Sequence, residues 1–143
     1  MRAVRRKRER GQALVEFSLT IIVFLVLLMD IVDLGRGIYL VNGVSEAARE
    51  IARVASVHPG TTFGSSAQIS AVVGSQKGII PNLGNPTFGC VDIDGSDGFT
   101  DAGACPKGAQ VTVSIVAPYA PVTPLMGLIG TWNLHSTSSV RMP

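Results

Sequence analysis

The first third of the chain combines one long apolar stretch with a helical pattern of apolar positions. Residues 13–32 are almost wholly apolar, and about 20 helical residues at about 1.5 Å each match the roughly 30 Å hydrocarbon core of a bilayer. Beyond Asp33, apolar residues recur at spacings of three and four: Leu34, Ile38, Val41, Val44, Ala48, Ile51 and Val54. This period predicts that the helix continues as an amphipathic helix to about Val57, before His58-Pro59-Gly60.

The second half of the chain carries shorter patterns. Ser65-Ser66-Ala67-Gln68 has the hydroxyl and the glutamine of a capping box and predicts a short helix. Residues 88–93, 110–119 and 132–141 alternate between apolar and polar side chains, as strands do. The predicted fold class is α+β: a long amino-terminal transmembrane and amphipathic helix, then a small domain with a short helix and a three- to four-stranded antiparallel sheet.

Between the last two predicted strands, residues 121–130 (PVTPLMGLIG) are too apolar for a solvated loop. Such a segment covers the core, lies on the membrane surface or contacts a partner. The sequence leaves these three placements open.

Basic residues are concentrated before the apolar stretch. The first 11 residues hold six of the 12 Lys and Arg residues but one of the 10 acidic residues, so the remainder is net acidic. Basic residues stay on the cytoplasmic side of a membrane helix, which sends the carboxyl-terminal bulk outward. We predict a basic cytoplasmic leader (1–11), a transmembrane helix (12–33), its extracytoplasmic amphipathic continuation (34–58) and a small extracytoplasmic domain (59–143).

Two other interpretations of the basic head are weaker. A secretory signal peptide also joins a basic head to a short apolar core, but no small-x-small cleavage site follows Met29. A basic tail can bind nucleic acid, but no helix-turn-helix, zinc or aromatic pattern accompanies this one. We therefore predict a single-pass membrane protein with no nucleic-acid partner.

The chain has two cysteines, Cys90 and Cys105, and both lie on the side predicted to be outside. We predict one disulfide between them, as is usual in an oxidising compartment. A zinc site is the rival interpretation, but two thiols without a nearby His or further Cys make a poor ligand set.

Four carboxylates lie among glycines between the cysteines: Asp92, Asp94, Asp97 and Asp101. Oxygen ligands of this kind suit calcium, which makes these residues a weak calcium candidate. The spacing is not that of an EF-hand loop, and Asp-Gly pairs commonly turn hairpins. A hairpin turn is therefore the default interpretation, and we predict no metal and no cofactor.

The sequence gives little sign of an enzyme. His58 adjoins a predicted helix end and His135 lies in a predicted strand rich in Ser and Thr, so each is most simply a surface residue. Oxidised cysteines are not nucleophiles, and no glycine-rich phosphate loop is present. We predict that the protein is not an enzyme.

Glu16, an acid just inside the apolar stretch, needs a separate explanation. A carboxylate within a membrane helix is costly and usually functional. An alternative is an interfacial acid that is exposed to lipid headgroups. The surrounding string Gly11-Gln12-Ala13-Leu14-Val15-Glu16-Phe17 resembles the processing motif of type IV prepilins of the Flp class. In that motif a glycine precedes the cut, and a glutamate and an aromatic residue fill the fifth and sixth mature positions.

A longer stretch, from about Gly11 to Ser56, resembles the amino-terminal region of the TadE-like family, the minor pilins or pseudopilins of tight-adherence secretion systems. Its most recognisable words are Asp33-Leu34-Gly35-Arg36 and Ala47-Ala48-Arg49-Glu50. A looser resemblance covers residues 111–141. Flp major pilins are very short chains that usually have Tyr where this chain has Phe17, so the sizeable outer domain favours a minor component.

The resemblance implies a non-enzymatic component in the assembly of tight-adherence (Flp, type IVb-like) pili. A prepilin peptidase would cut after Gly11, expose the amino group of Gln12 and remove the basic leader. In the assembled state, Glu16 would accept the charge of a neighbouring subunit's Gln12 amine. The implied partners are the lipid bilayer, the prepilin peptidase, other Tad or Flp pilins and the pilus assembly platform.

The implied location is the bacterial cell membrane, crossed once with the amino terminus in the cytoplasm; whether the protein also enters the pilus is left open by the sequence. An alternative function is that of an uncleaved single-span membrane protein whose outer domain binds a ligand or partner. A membrane-tethered enzyme would need a convergent Ser/His/Asp or Cys/His set, which the sequence does not offer.

Overall fold

One continuous helix, α1 (Arg2–Ser56), forms the amino-terminal third of the chain in a computed structural model. The structure describes residues 2–58, 62–92, 94–95, 105–128 and 130–143, without the side chains of residues 2–10, 124 and 125. The predicted continuation of the helix beyond the apolar stretch is confirmed, since α1 ends at Ser56. No helix break separates the apolar part from the amphipathic part.

Along α1, exposure changes abruptly near residue 33. Nearly all of residues 11–32 are exposed, whereas Asp33, Val44, Ala47 and Ile51 are buried. Among the described residues, α1 is the one helix long and apolar enough to cross a membrane. Because none of its apolar window is buried within the described protein, the helix supports membrane anchoring.

The second helix, α2 (Ala67–Ile79), packs against α1. Its amino-terminal cap is Ser66, whose side chain accepts a hydrogen bond from the backbone N–H of Ile69 at 3.4 Å. The predicted capping box began one residue earlier, at Ser65. Gln68 also differs from that pattern, because its side-chain oxygen accepts a hydrogen bond from the Ser66 hydroxyl at 3.2 Å.

A three-stranded antiparallel sheet completes the domain, in the order β1-β2-β3. The strands are β1 (Thr87–Val91), β2 (Gln110–Tyr119) and β3 (Trp132–Arg141), and a short helix, α3 (Pro124–Gly127), lies between β2 and β3. In register, Cys90 faces Val111 and Tyr119 faces Trp132. The predicted α+β fold is confirmed, with three strands among the described residues.

The core lies between α1 and one face of the sheet. Alternate residues of β2 from Val111 to Tyr119 are buried, as its sequence pattern predicts. The buried face of α1 is rich in alanine, at Ala47, Ala48, Ala52 and Ala55. These small side chains let β2 and β3 approach the helix closely, so α1 forms one side of the core of the outer domain.

Gly84 attaches the segment after α2 to the middle strand. Its backbone N–H donates to the carbonyl oxygen of Val116 at 2.8 Å, beyond the last residue that β1 pairs with β2. A Cβ atom at Gly84 would lie 2.8 Å from that same oxygen. The close approach therefore requires glycine.

Cys90 and Cys105 lie at disulfide distance, with Cα atoms 5.7 Å apart, and both are buried against the core. We expect the Cys90→Ala/Cys105→Ala variant to unfold with a free energy lower by about 3 kcal/mol, because a loop of about 15 residues is no longer closed in the unfolded chain. Urea denaturation in detergent micelles measures this difference. Wild-type protein with reductant is the control and should match the variant; equal stability with and without reductant would contradict the bridge.

Candidate functional site

The prepilin-like motif lies on the exposed surface of the apolar part of α1. Gly11, Gln12, Glu16 and Phe17 are all exposed, Phe17 to 65%. Among the residues that the structure describes, none makes a hydrogen bond or ion pair with the Glu16 carboxylate. The helix thus presents one acid on an otherwise apolar surface.

The other polar side chains near Glu16 are satisfied within the helix. The Ser18 hydroxyl donates to the carbonyl oxygen of Val15, and the Thr20 hydroxyl donates to that of Glu16, each at 2.8 Å. Such bonds to the preceding turn lower the cost of placing a hydroxyl in an apolar environment. Within the described part of the chain the Glu16 carboxylate has no such bond, which leaves it available to a second molecule.

A second polar cluster joins α1 to the outer domain, and we call Asp33, Arg36, Tyr119, Val122 and Thr123 the Asp33 cluster. Asp33 is 2% exposed. Its Oδ2 atom accepts hydrogen bonds from the backbone N–H groups of Val122 (2.8 Å) and Thr123 (2.9 Å). Its Oδ1 atom lies 2.9 Å from an Arg36 guanidinium nitrogen and 3.1 Å from the Tyr119 hydroxyl.

The single proton of the Tyr119 hydroxyl is shared between Oδ1 and the backbone carbonyl oxygen of Asp33, which lies 2.7 Å from the hydroxyl. Every group that faces the Asp33 carboxylate in this cluster is a donor, which is what an ionised acid requires when it is buried. The Asp33 cluster therefore fixes the segment between β2 and α3 to one turn of α1.

Tyr119 is expected to ionise at a higher pH than an exposed tyrosine. Burial raises the pKa of Tyr119, its hydrogen bond to Asp33 raises it further, and Arg36 has a smaller opposite effect. Since the folded pKa exceeds the unfolded value of about 10, this contribution to stability is complete below pH about 10 and is lost as the pH rises through the folded pKa.

Absorbance titration of a Tyr39→Phe variant tests this, because the chain has two tyrosines and Tyr119 would then titrate alone. Unfolding curves between neutral and alkaline pH should show falling stability, and Tyr119→Phe should reduce that fall. A tyrosine that titrates below pH about 10 in the folded protein would contradict the raised pKa.

A groove of about 680 Å³ adjoins the Asp33 cluster, between α1 and the end of β2. Its lining includes Tyr39, Leu40, Pro81, Pro118 and Tyr119. Tyr39 is 69% exposed. The groove is mostly apolar and open to solvent. A groove of this kind can receive an apolar side chain of another molecule.

The calcium candidates are only partly described. Asp92 and Asp94 lie in a turn in which the Gly95 N–H donates to the carbonyl oxygen of Asp92 at 3.0 Å, and Gly95 has a φ of +85°. Asp97 and Asp101 lie outside the described residues. Within the described part of the chain, no three His, Cys, Asp or Glu side chains group as metal ligands.

The match to a known family covers the helix that carries Glu16 and Asp33. Residues 11–53 match the TadE-like protein family. This finding confirms the resemblance over that segment. No curated protein and no solved structure matches the chain.

The TadE-like match begins at Gly11 and ends three residues before the end of α1. It includes Glu16, Asp33 and Arg36, and it leaves out the basic residues before Gly11 and the outer domain beyond α1. Glu16 and the α1 residues of the Asp33 cluster therefore lie within the matched segment, whereas Tyr119, Val122 and Thr123 lie outside it.

The Asp33 cluster is not among the sites that the sequence predicts. The string Asp33-Leu34-Gly35-Arg36 carries the family resemblance, but the sequence assigns it no role. The signal was present in the i, i+3 spacing of Asp33 and Arg36, which suits an ion pair on a helix. Nothing in the sequence indicated that Tyr119 would meet them.

Proposed function

We propose that this chain is a TadE-like minor pilin or pseudopilin, a non-enzymatic, membrane-anchored component in the assembly of tight-adherence pili. The observation that carries the proposal is the Glu16 carboxylate, exposed on an apolar helix five residues after Gly11. An acid in that place is costly unless a second molecule supplies a positive charge. The family match over the same residues supports a pilin-type partner.

In this proposal a prepilin peptidase cuts between Gly11 and Gln12. The cut removes the basic residues that hold the amino terminus in the cytoplasm and creates a charged amino group on Gln12. A neighbouring subunit's Glu16 then pairs with that amine. Because a buried ion pair gains little net stability but costs much when one partner is missing, the pair sets the axial register between subunits.

The proposed topology has the amino terminus in the cytoplasm and residues 59–143 outside the membrane. Residues 12–33 form the transmembrane part and residues 34–58 the continuation of the same helix. The charge asymmetry of the sequence and the disulfide distance of Cys90 and Cys105 both support this direction.

The cysteines and histidines of the chain, which are the side chains most often found as catalytic groups, are placed in a way that favours a structural role. Cys90 and Cys105 are paired with each other and buried. His58 Nδ1 lies 2.9 Å from the carbonyl oxygen of Val54 at the end of α1, and His135 is exposed on β3. The TadE-like family is a family of pilus components, which favours the same role.

Sequencing the amino terminus of the mature protein tests the processing step. In cells with an active peptidase, the mature chain is expected to begin at Gln12, and Gly11→Val should retain residues 1–11. Gly35→Val is a matched control, since among the described residues no side chain or distant backbone atom lies within 4 Å of a Cβ atom at either glycine. A wild-type chain that keeps its leader would contradict the proposal.

The groove beside Tyr39 favours one alternative, in which an uncleaved single-span protein binds a ligand or partner through its outer domain. A retained leader together with absence from sheared pili would support that alternative. A processed amino terminus and presence in pili would exclude it.

A further inference from the structure

The outer domain reaches the boundary between the apolar and amphipathic parts of α1, at Asp33. Among the described side chains of residues 11–32, Val26 and Asp30 are half-buried and the others are exposed. Together with Asp33 they lie on one face of the helix, at spacings of four and three. The segment after β2 is bonded to this face at Asp33, and α3 packs against α1.

Helix geometry gives the depth of these positions in a bilayer. If residues 13–32 span about 30 Å of hydrocarbon, Asp33 lies at the outer boundary of that layer and Val26 lies about 10 Å inside it. The backbone of Val122 and Thr123 is held at the level of Asp33 by two hydrogen bonds of 2.8 and 2.9 Å. We call residues 120–128 the membrane-facing loop.

The chemistry of the membrane-facing loop fits lipid. Val122 is 74% exposed and Leu128 is 84% exposed. No Asp, Glu, Lys or Arg occurs between Lys107 and Arg141, a stretch that contains the whole loop and Trp132. Aromatic residues such as Trp132 commonly mark the interface of a bilayer.

The loop also solves a problem for Asp33. An acid at the hydrocarbon boundary is costly unless donors surround it. The backbone N–H groups of Val122 and Thr123 donate hydrogen bonds to the Asp33 carboxylate. Neither the carboxylate nor these N–H groups are therefore left without a hydrogen-bond partner beside acyl chains.

We propose that the membrane-facing loop inserts into the headgroup region of the outer leaflet, with Val122 and Leu128 in contact with acyl chains. Its ligand is the phospholipid bilayer, and because the loop is uncharged, zwitterionic lipid suffices. This inference rests on the membrane anchoring of α1, which the proposed function also requires. The loop then fixes the height of the outer domain above the membrane.

Single-tryptophan variants of the full chain test the insertion in vesicles of dioleoylphosphatidylcholine. In a Trp132→Phe background, which removes the one native tryptophan, Leu128→Trp and Val122→Trp place the probe in the loop. Phe24→Trp places it in the apolar stretch. Val57→Trp is the matched control, since Val57 is also apolar and exposed (57%) and follows the end of α1, about 35 Å along the helix from Asp33.

We expect a nitroxide on the lipid headgroup to quench Leu128→Trp and Val122→Trp at least twofold more than Val57→Trp. Lipids brominated deep in the acyl chains should quench Phe24→Trp most. Circular dichroism and resistance of the cysteines to alkylation check that each variant is folded.

Loop probes quenched no more than Val57→Trp, with Phe24→Trp quenched, would overturn the insertion and leave the anchoring and the pilin role intact. An unquenched Phe24→Trp would overturn both the anchoring and the insertion. Quenching of both loop probes and of Phe24→Trp would support the inference.

Discussion

Glu16→Gln is expected to remove the protein from pili sheared off cells while leaving its amount in the membrane unchanged. Glutamine has the shape of glutamate but no charge, so it cannot compensate the Gln12 amine of a neighbouring subunit. That amine would then be buried without a partner, which is the costly arrangement for an ion pair in an apolar environment. We expect an at least tenfold reduction in the sheared fraction, measured by immunoblot against the membrane fraction.

Glu46→Gln is the matched control for this experiment. Glu46 lies on the same helix and within the same family match, but its side chain is 71% exposed beside Arg49. Its neutralisation should leave incorporation at the wild-type level. Amino-terminal sequencing of the Glu16→Gln protein separates assembly from processing.

Incorporation of Glu16→Gln at the wild-type level would contradict the pairing. It would favour the alternative in which Glu16 is an interfacial acid exposed to lipid headgroups.

Asp33→Asn is expected to loosen the outer domain from α1 and to lower its thermal unfolding midpoint by several degrees. The Asp33 carboxylate accepts four hydrogen bonds, from Arg36, Tyr119 and the backbone N–H groups of Val122 and Thr123. In asparagine one of the two oxygens is replaced by an NH2 group, which is itself a donor. At least one of the four hydrogen bonds is then lost, because two donors face each other. Thermal melts followed by Trp132 fluorescence report the change, because the Trp132 ring lies 6.4 Å from the Tyr119 ring.

Asp30→Asn is a close control, one turn earlier on the same face of α1. Within the described residues, the Asp30 Oδ1 atom is buried and accepts no hydrogen bond. Neutralising Asp30 should therefore leave the midpoint unchanged or raise it. Equal effects of Asp33→Asn and Asp30→Asn would show that the cluster does not hold the domain to the helix.

The regular elements were predictable because their patterns are local. The alternation of β2 gives its boundaries and its buried face, and the spacing of Val44, Ala48 and Ile51 gives the face of α1 that it meets. The long helix followed from the apolar period alone. The prepilin-like motif around Glu16 was also predictable from the sequence, because it consists of neighbouring residues.

Contacts between distant residues were not predictable in this way. Asp33 and Tyr119 are 86 positions apart, and periodicity gives each residue a face but no partner. The cap of α2 was misplaced by one residue because Ser65 and Ser66 are adjacent and have the same capping chemistry. For residues 121–130, apolar composition alone did not choose among core, membrane and partner.

The inner face of β3 shows a further limit. Its side chains that turn towards the core include Ser136 and Ser138, which are half-buried, and the Ser136 hydroxyl donates to that of Ser45 at 3.3 Å. Alternation predicted a strand, but hydroxyls on the side facing α1 depart from the usual apolar pattern. Their small size suits the close packing of β3 against the alanine-rich helix.

The unbroken course of α1 has a mechanical consequence. The apolar stretch and the residues that pack against the sheet of the outer domain belong to one helix, which runs about 70 Å from Gly11 to Ser56. A force that moves α1 along its axis displaces the outer domain by the same distance, and a rotation of α1 about its axis rotates the outer domain through the same angle. In the assembly proposed above, the packing of neighbouring α1 helices would therefore set the direction in which each outer domain points.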